Sequence, residues 1–113
     1  MTNDERLPFQ RLDVYVVAKE IAQRIHEAKI RDAELCDQAT RASKSTFLHL
    51  CEGLPNRGTA MRHRYFTGAH NSLCEAVGAV DLARTIGAVS QEHADSVQGL
   101  GVRLERLLRA LMR

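Results

Sequence analysis

Serine, histidine and glutamate side chains that could take part in chemistry recur beside the apolar stripes of two helical segments. Residues 45–53 read STFLHLCEG, and residues 71–75 read NSLCE. A helix places residues three and four apart on one face, so both segments turn these polar groups towards a side that packs. A helix that lies on a surface does not need that arrangement. The pattern therefore indicates helices that are buried on more than one side.

The polar residues of these segments, together with one glutamine, form a candidate network. Its members are Gln38, Ser45, His49, Glu52, Ser72 and Glu75. The structural interpretation is a set of hydrogen bonds that fixes the register between helices or subunits, because buried polar groups must be paired. The functional interpretation is a polar binding site. We favour the structural interpretation.

Two residue pairs have the side-chain types and the spacing of metal ligands. His49 and Glu52 are three residues apart, and His70 and Cys74 are four apart; both are facing distances on a helix. Di-iron helical bundles draw carboxylates from all four helices and repeat a Glu-x-x-His motif. The first and last helices of this chain offer no Glu on their predicted apolar faces, and we therefore expect no metal and no cofactor.

The sequence contains no recognisable arrangement for nucleophilic catalysis. Its cysteines, Cys36, Cys51 and Cys74, lie within helical patterns at unpaired spacings, which is typical of reduced thiols. None lies at a helix N-terminus, where thiols are activated. There is also no glycine-rich loop that could hold a phosphate. We expect no catalytic residues and a protein that is not an enzyme.

Two clusters of basic residues could contact a nucleic acid. The first, at the start of the third helix, contains Arg57, Arg62, His63 and Arg64, and the second, along the fourth helix, contains Arg103, Arg106, Arg109 and Arg113. Free backbone N–H groups at a helix start also favour phosphate. The net charge of the whole chain is only +2, so each cluster alone is more typical of an ordinary solvated face.

Length, composition and periodicity predict one helical domain. The chain has 113 residues, of which 44% are hydrophobic and 27% charged, and it contains two prolines. This is enough to bury a core without disulfides or metal. Apolar residues recur at three- and four-residue steps in four segments, which predicts helices at about 10–29, 33–53, 60–86 and 91–112. Short connections favour antiparallel neighbours, hence an all-α, up-down-up-down antiparallel four-helix bundle.

Local signals mark the predicted helix ends. Asp32, Thr59 and Ser90 are predicted N-caps, whereas Gly53 and Gly87 are predicted to end helices. The first eight residues are polar and unlike a signal peptide, and no apolar run approaches the length of a membrane span. We therefore expect a cytoplasmic protein.

The chain has more apolar residues than the core of a single bundle needs. The third helix carries a seam of small residues that predicts a close helix contact, and the fourth has a heptad-like, coiled-coil seam in which Gly99 and Gly101 predict a bend or a close contact. Leu48, Leu82 and Ile86 lie outside the main stripes. This surplus predicts self-association.

The chain resembles the bacterial four helix bundle protein family, first met as reading frames in intervening sequences of large-subunit rRNA genes. The family opens with Phe-x-x-Leu-x-x-Tyr and continues with a Gln-containing helix bearing Ser-x-x-x-Asn-x-x-Glu-Gly, then Arg-x-Ser and Gly-Ser-Leu-x-Glu. The matching residues are Phe9, Leu12, Tyr15, Gln38, Ser45, Glu52, Gly53, Arg57, Thr59, Ser72, Leu73 and Glu75. The resemblance covers about residues 7–112, with two departures: His49 replaces the usual Asn, and Asn71 the usual Gly.

The resemblance implies a ring-like homo-oligomer, with five subunits expected. The family also includes accessory proteins of diversity-generating retroelements, which bind nucleic acid and a reverse transcriptase but are strongly basic. We therefore expect a non-enzymatic interaction or scaffold protein whose partner is itself. The alternative is a nucleic-acid-binding accessory protein that contacts RNA through Arg57, Arg62, Arg64, Arg103, Arg106 and Arg109. No membrane partner and no small-molecule substrate are expected.

Overall fold

Four α-helices make up most of the chain in the computed structural model, which describes residues 5–113. They are α1 (Asp13–Ala28), α2 (Ala33–Gly53), α3 (Thr59–Thr85) and α4 (Gln91–Leu111), and a short 3-10 turn over Pro8–Arg11 precedes α1. No strand occurs within the described residues. The predicted all-α fold is confirmed.

Three predicted helix ends agree with the local geometry. The Asp32 carboxylate accepts a hydrogen bond from the Leu35 backbone N–H at 2.9 Å. The Ser90 hydroxyl does the same for the backbone N–H of His93 at the start of α4. Beyond α3, Gly87 adopts a left-handed φ of 74°, which glycine reaches without a steric penalty and which ends the helix there.

At the starts of α1 and α3, the structure differs from the local prediction. The first helix begins at Asp13 rather than near Gln10, because Pro8 starts a separate 3-10 turn and Leu12 is extended, with a ψ of 142°. The predicted cap Thr59 is the first residue of α3, and the N-cap is Gly58, which makes no side-chain hydrogen bond. A threonine beside a glycine gives no local signal that decides between these two registers.

The helices α2 and α3 run antiparallel. Along α2 and α3, Ser45 lies opposite Ser72 and His49 lies over Gly68, so residue numbers rise on one helix as they fall on the other. Each helix also contacts two others, and α4 closes on α1. At one end of the bundle, the Arg31 N–H donates to the Ala88 carbonyl at 2.8 Å. This bond joins the α1–α2 connection to the α3–α4 connection.

The small seam of α3 lies in the core. Ala69, Ala76 and Ala83 are fully buried. Because their side chains are small, the neighbouring helices can approach α3 closely at these positions. At Gly101 on α4, an added Cβ would lie 2.7 Å from Cγ2 of Val77, which confirms the predicted close contact. Gly99 is exposed with no such neighbour, so no close contact occurs at that residue. Within residues 5–113, no helix has the length and apolarity needed to cross a membrane.

Candidate functional site

Three of the six predicted network residues meet between α2 and α3. The hydroxyl oxygens of Ser45 and Ser72 are 2.8 Å apart, which bridges the two helices. Nδ1 of His49 lies 2.8 Å from the Ser45 carbonyl oxygen and 3.2 Å from its hydroxyl. A carbonyl only accepts, so Nδ1 of His49 is the donor in the short contact. The three side chains thus form one hydrogen-bonded contact between α2 and α3.

A glycine that sequence reasoning did not single out makes room for this contact. The His49 ring lies over Gly68, where an added Cβ would be 2.6 Å from Cδ2 of the ring. The sequence signal was a glycine inside a long helical pattern, which often marks a close approach. Its partner could be named only once the register between α2 and α3 was known.

The remaining network residues lie outside these hydrogen bonds. Gln38 and Glu75 line a shallow groove of about 310 Å³ with Ser45. Glu52 is exposed, because it is Gly53 that faces α3 at this level, where an added Cβ would be 2.9 Å from Phe66. Within a single chain, the network of six predicted from the sequence is therefore a contact of three residues.

The two basic clusters meet at one end of the bundle. Because α3 and α4 are antiparallel, the start of α3 lies beside the end of α4. A groove of about 250 Å³ is lined there by Arg62 and His63 of the first cluster and Arg113 of the second. The guanidinium of Arg62 lies 5.1 Å from the centre of the Phe66 ring, which holds this side chain across the groove.

The other basic residues have a looser arrangement. Arg57, Arg64, Arg103 and Arg106 are exposed. Arg109 is also exposed, and its Nε lies 3.6 Å from the Glu105 carboxylate, a surface pair that contributes little to stability. Arg109 is thus the one arginine of the predicted set with an ion pair among the described residues.

The three surplus apolar residues are exposed in the single chain. Leu48 is 56% exposed and lies in a groove of about 350 Å³ between α1 and α2, with Ala22 and Phe47 as its apolar walls and Lys19 and Lys44 at its rim. The other two, Leu82 and Ile86, are 51% and 56% exposed at the end of α3.

A contact between α3 and α4 was missed by sequence reasoning. Nε2 of His70 lies 3.1 Å from Oε2 of Glu105, and Nδ1 of the same ring lies 3.9 Å from Sγ of Cys74. The hydrogen bond from His70, with the nearby charge of Arg109, lowers the pKa of Glu105. The helical spacing of His70 and Cys74 was visible in the sequence, but Glu105 joins them only through the register of α4.

No metal cluster accompanies these contacts. Within residues 5–113, no three His, Cys, Asp or Glu side chains are grouped so that they could hold one ion. Burial, and secondly the charge of Glu52, raises the pKa of the Cys51 thiol, which makes that thiol a poor nucleophile at neutral pH.

Four helices packed around one core define the chain as a four-helix bundle. Residues 10–110 match the family of the 23S rRNA-intervening sequence protein, and the chain belongs to this family, as the resemblance predicted. No curated protein matches the chain closely enough to count as a relative. A shared fold does not by itself assign a role, so the role of this chain depends on its own surfaces.

Proposed function

We propose that this protein is a non-enzymatic, self-associating helical bundle that acts as an interaction or scaffold module. The observation that carries the proposal is the apolar groove around Leu48. Its walls are apolar, its volume is about 350 Å³, and a leucine exposed by 56% costs free energy unless another surface covers it.

A second copy of the same chain is the occupant that charge favours. The groove has Lys19 and Lys44 at its rim. The exposed Leu82 lies seven residues after Glu75 on α3, so an acidic group shares its face. Packing the Leu82 surface of one copy onto the Leu48 groove of the next would pair opposite charges around an apolar centre.

Such an interface joins two different surfaces and is therefore heterologous. Heterologous contacts close into rings when the rotation between copies permits it. A ring of five copies, expected from the resemblance to the family, fits this kind of contact. Buried apolar area would supply the affinity, and the lysine–glutamate contacts at the rim would fix orientation.

The test is the mass of the purified protein in solution. Light scattering should give several times the 12.6 kDa of one chain, most simply a fivefold mass. The variant Leu48→Glu should reduce the mass to that of one chain, since a charge in a covered groove is unpaired. The control Val102→Glu changes another exposed apolar residue, on α4, and should leave the mass unchanged. A monomeric wild type would refute the proposal.

A second candidate function, RNA binding, is favoured by the joining of the basic clusters in one groove. Arg62, His63 and Arg113 line this groove together, beside the N-terminus of α3, where free N–H groups favour phosphate. A ring would repeat the groove in every copy and add their charges, so the local potential would exceed that of one chain of net charge +2.

Gel shifts at varied salt test this alternative. With single-stranded RNA, log K should fall by about 0.7 per neutralised phosphate as log salt rises. The effects of Arg62→Ala and Arg113→Ala on RNA affinity should be non-additive, because both side chains line one groove. The double variant Arg57→Ala, Arg64→Ala should weaken binding to rRNA fragments and to random RNA alike. Arg41→Ala, an exposed arginine of α2, is the control. Absence of binding at low salt would exclude this function.

A further inference from the structure

The contact between α3 and α4 aligns a carboxylate, an imidazole and a thiol. His70 lies between the other two, with Nε2 at 3.1 Å from Oε2 of Glu105 and Nδ1 at 3.9 Å from Sγ of Cys74. Glu105 comes from α4, and the other two are one turn apart on α3. None of the three belongs to the polar network, the apolar groove or the basic groove.

The direction of the two hydrogen bonds follows from the charge of Glu105. Its pKa is lowered, mainly by the bond to His70, so the side chain is a carboxylate at neutral pH and can only accept. Nε2 of His70 is therefore the donor, which leaves Nδ1 of a neutral ring as an acceptor. The thiol S–H of Cys74 donates to this nitrogen. An imidazole oriented by a carboxylate is the usual partner that removes a proton from a nucleophile.

The thiol is also accessible. Cys74 is exposed and lines a groove of about 390 Å³ between α3 and α4, together with Gly78 and Val102. An added Cβ on Gly78 would meet nothing within 4 Å, so the space one turn beyond the thiol is open. A small molecule with an apolar body can lie there against Val102 while its reactive atom reaches Sγ.

We propose that Cys74 is a nucleophilic modification site for α,β-unsaturated carbonyl compounds, with His70 as the base and Glu105 as the positioning residue. The thiol proton passes to Nδ1 of His70. The thiolate then forms an S–C bond with the β-carbon as the C=C π bond breaks, and the α-carbon takes the proton back from the imidazolium. The reaction is an addition without a leaving group or an oxidant, and it ends in a stable adduct rather than turnover.

N-Ethylmaleimide is the probe, and its rate of addition to each cysteine can be followed by peptide mass spectrometry on the full chain. The chain unfolded in urea gives the rate of an accessible but unassisted Cys74. Because a free cysteine is only a few per cent thiolate at neutral pH, we expect Cys74 to react on the order of tenfold faster in the folded protein. Cys51, whose pKa is raised by burial, should react more slowly folded than unfolded.

Variants separate the base from the positioning residue. His70→Gln should abolish the faster addition to Cys74 in the folded protein. Glu105→Gln should shift the pH at which the rate of addition rises to a higher value, because the imidazolium loses its carboxylate partner. The other charged groups near this contact are Arg109, which contacts Glu105, and Asp81, which lines the same groove. His26→Gln, at an exposed histidine of α1, is the matched control and should leave the rate of addition at Cys74 unchanged.

The outcomes are distinct. Equal rates for Cys74 in the folded and unfolded chains would overturn the proposal, as would a folded rate that His70→Gln leaves unchanged. Circular dichroism on each variant establishes that the helices are intact. If His70→Gln does not fold, the pH profile of Glu105→Gln decides the proposal alone, and an unshifted profile refutes it.

Discussion

At Gly68, the absence of a side chain gives the His49 ring its place against α3. A methyl group there would lie 2.6 Å from the ring, so the ring would have to shift from the position in which Nδ1 lies 2.8 Å from the Ser45 carbonyl oxygen. We expect Gly68→Ala to lower the free energy of unfolding by about 1–3 kcal/mol, measured by urea denaturation.

Gly78 is the control for this substitution. It is also inside α3, but an added Cβ meets nothing there. Gly78→Ala should therefore raise the free energy of unfolding by about 0.5–1 kcal/mol, the advantage of Ala over Gly in a helix. If Gly68→Ala were equally stabilising, His49 would be free to move and the network would not fix the register.

Lys29 is a second residue at which the backbone conformation determines how a substitution changes the free energy of unfolding. It ends α1 with a left-handed φ of 48°, which brings the Cβ of an L-residue close to the following carbonyl oxygen. Replacement by Gly should remove this strain and raise the free energy of unfolding by about 0.5–1 kcal/mol. Gly87, left-handed at the end of α3 with φ 74°, offers the reverse comparison, and Gly87→Ala should be destabilising. Thermal melting of both variants checks the two opposite signs.

At the scale of the helix, α3 depends on small side chains. Ala76 is fully buried, so Ala76→Leu has to displace a neighbouring helix and should cost about 1–3 kcal/mol. Ala60→Leu, at an exposed position in the first turn of the same helix, should be nearly neutral. Equal melting temperatures for the two variants would place the seam at the surface.

The helices themselves could be predicted because their signals are local. The apolar period of α1, the Asp32 cap and the stop at Gly87 each involve residues within a few positions of one another. Contacts between helices, such as Gly68 with His49 or His70 with Glu105, depend on how far one helix slides along the next. That register is set by the summed packing of the core, which no short motif contains.

In the candidate site as well, contacts within one helix could be predicted from the sequence, whereas contacts between helices could not. Ser45 and His49 share one helix, and their side-by-side arrangement follows from the four-residue spacing. Glu52 has an equally favourable spacing, yet it is exposed because Gly53 occupies the close approach to Phe66. The proximity of Arg62 and Arg113 follows from the arrangement of α3 beside α4, which the separate positions of their clusters in the sequence do not show.

At the scale of the whole molecule, self-association should make stability depend on concentration. If the folded chain is stabilised by burying Leu48 between copies, mass action raises the melting temperature as protein is added, because assembly removes folded monomer from the unfolding equilibrium. We expect a steady rise in the melting temperature of the wild type over about a hundredfold range of concentration. Leu48→Glu should melt at a lower temperature that does not change with concentration.

Val102→Glu tests whether that effect belongs to the groove between α1 and α2. It places the same charge on α4, on a side chain that is 41% exposed, and should keep the concentration dependence of the wild type. If wild type and Leu48→Glu melted at the same temperature at every concentration, the exposed leucine would not be covered by another copy. If both variants lost the dependence, the contact between copies would extend to α4, and the Leu48 groove would not be its centre.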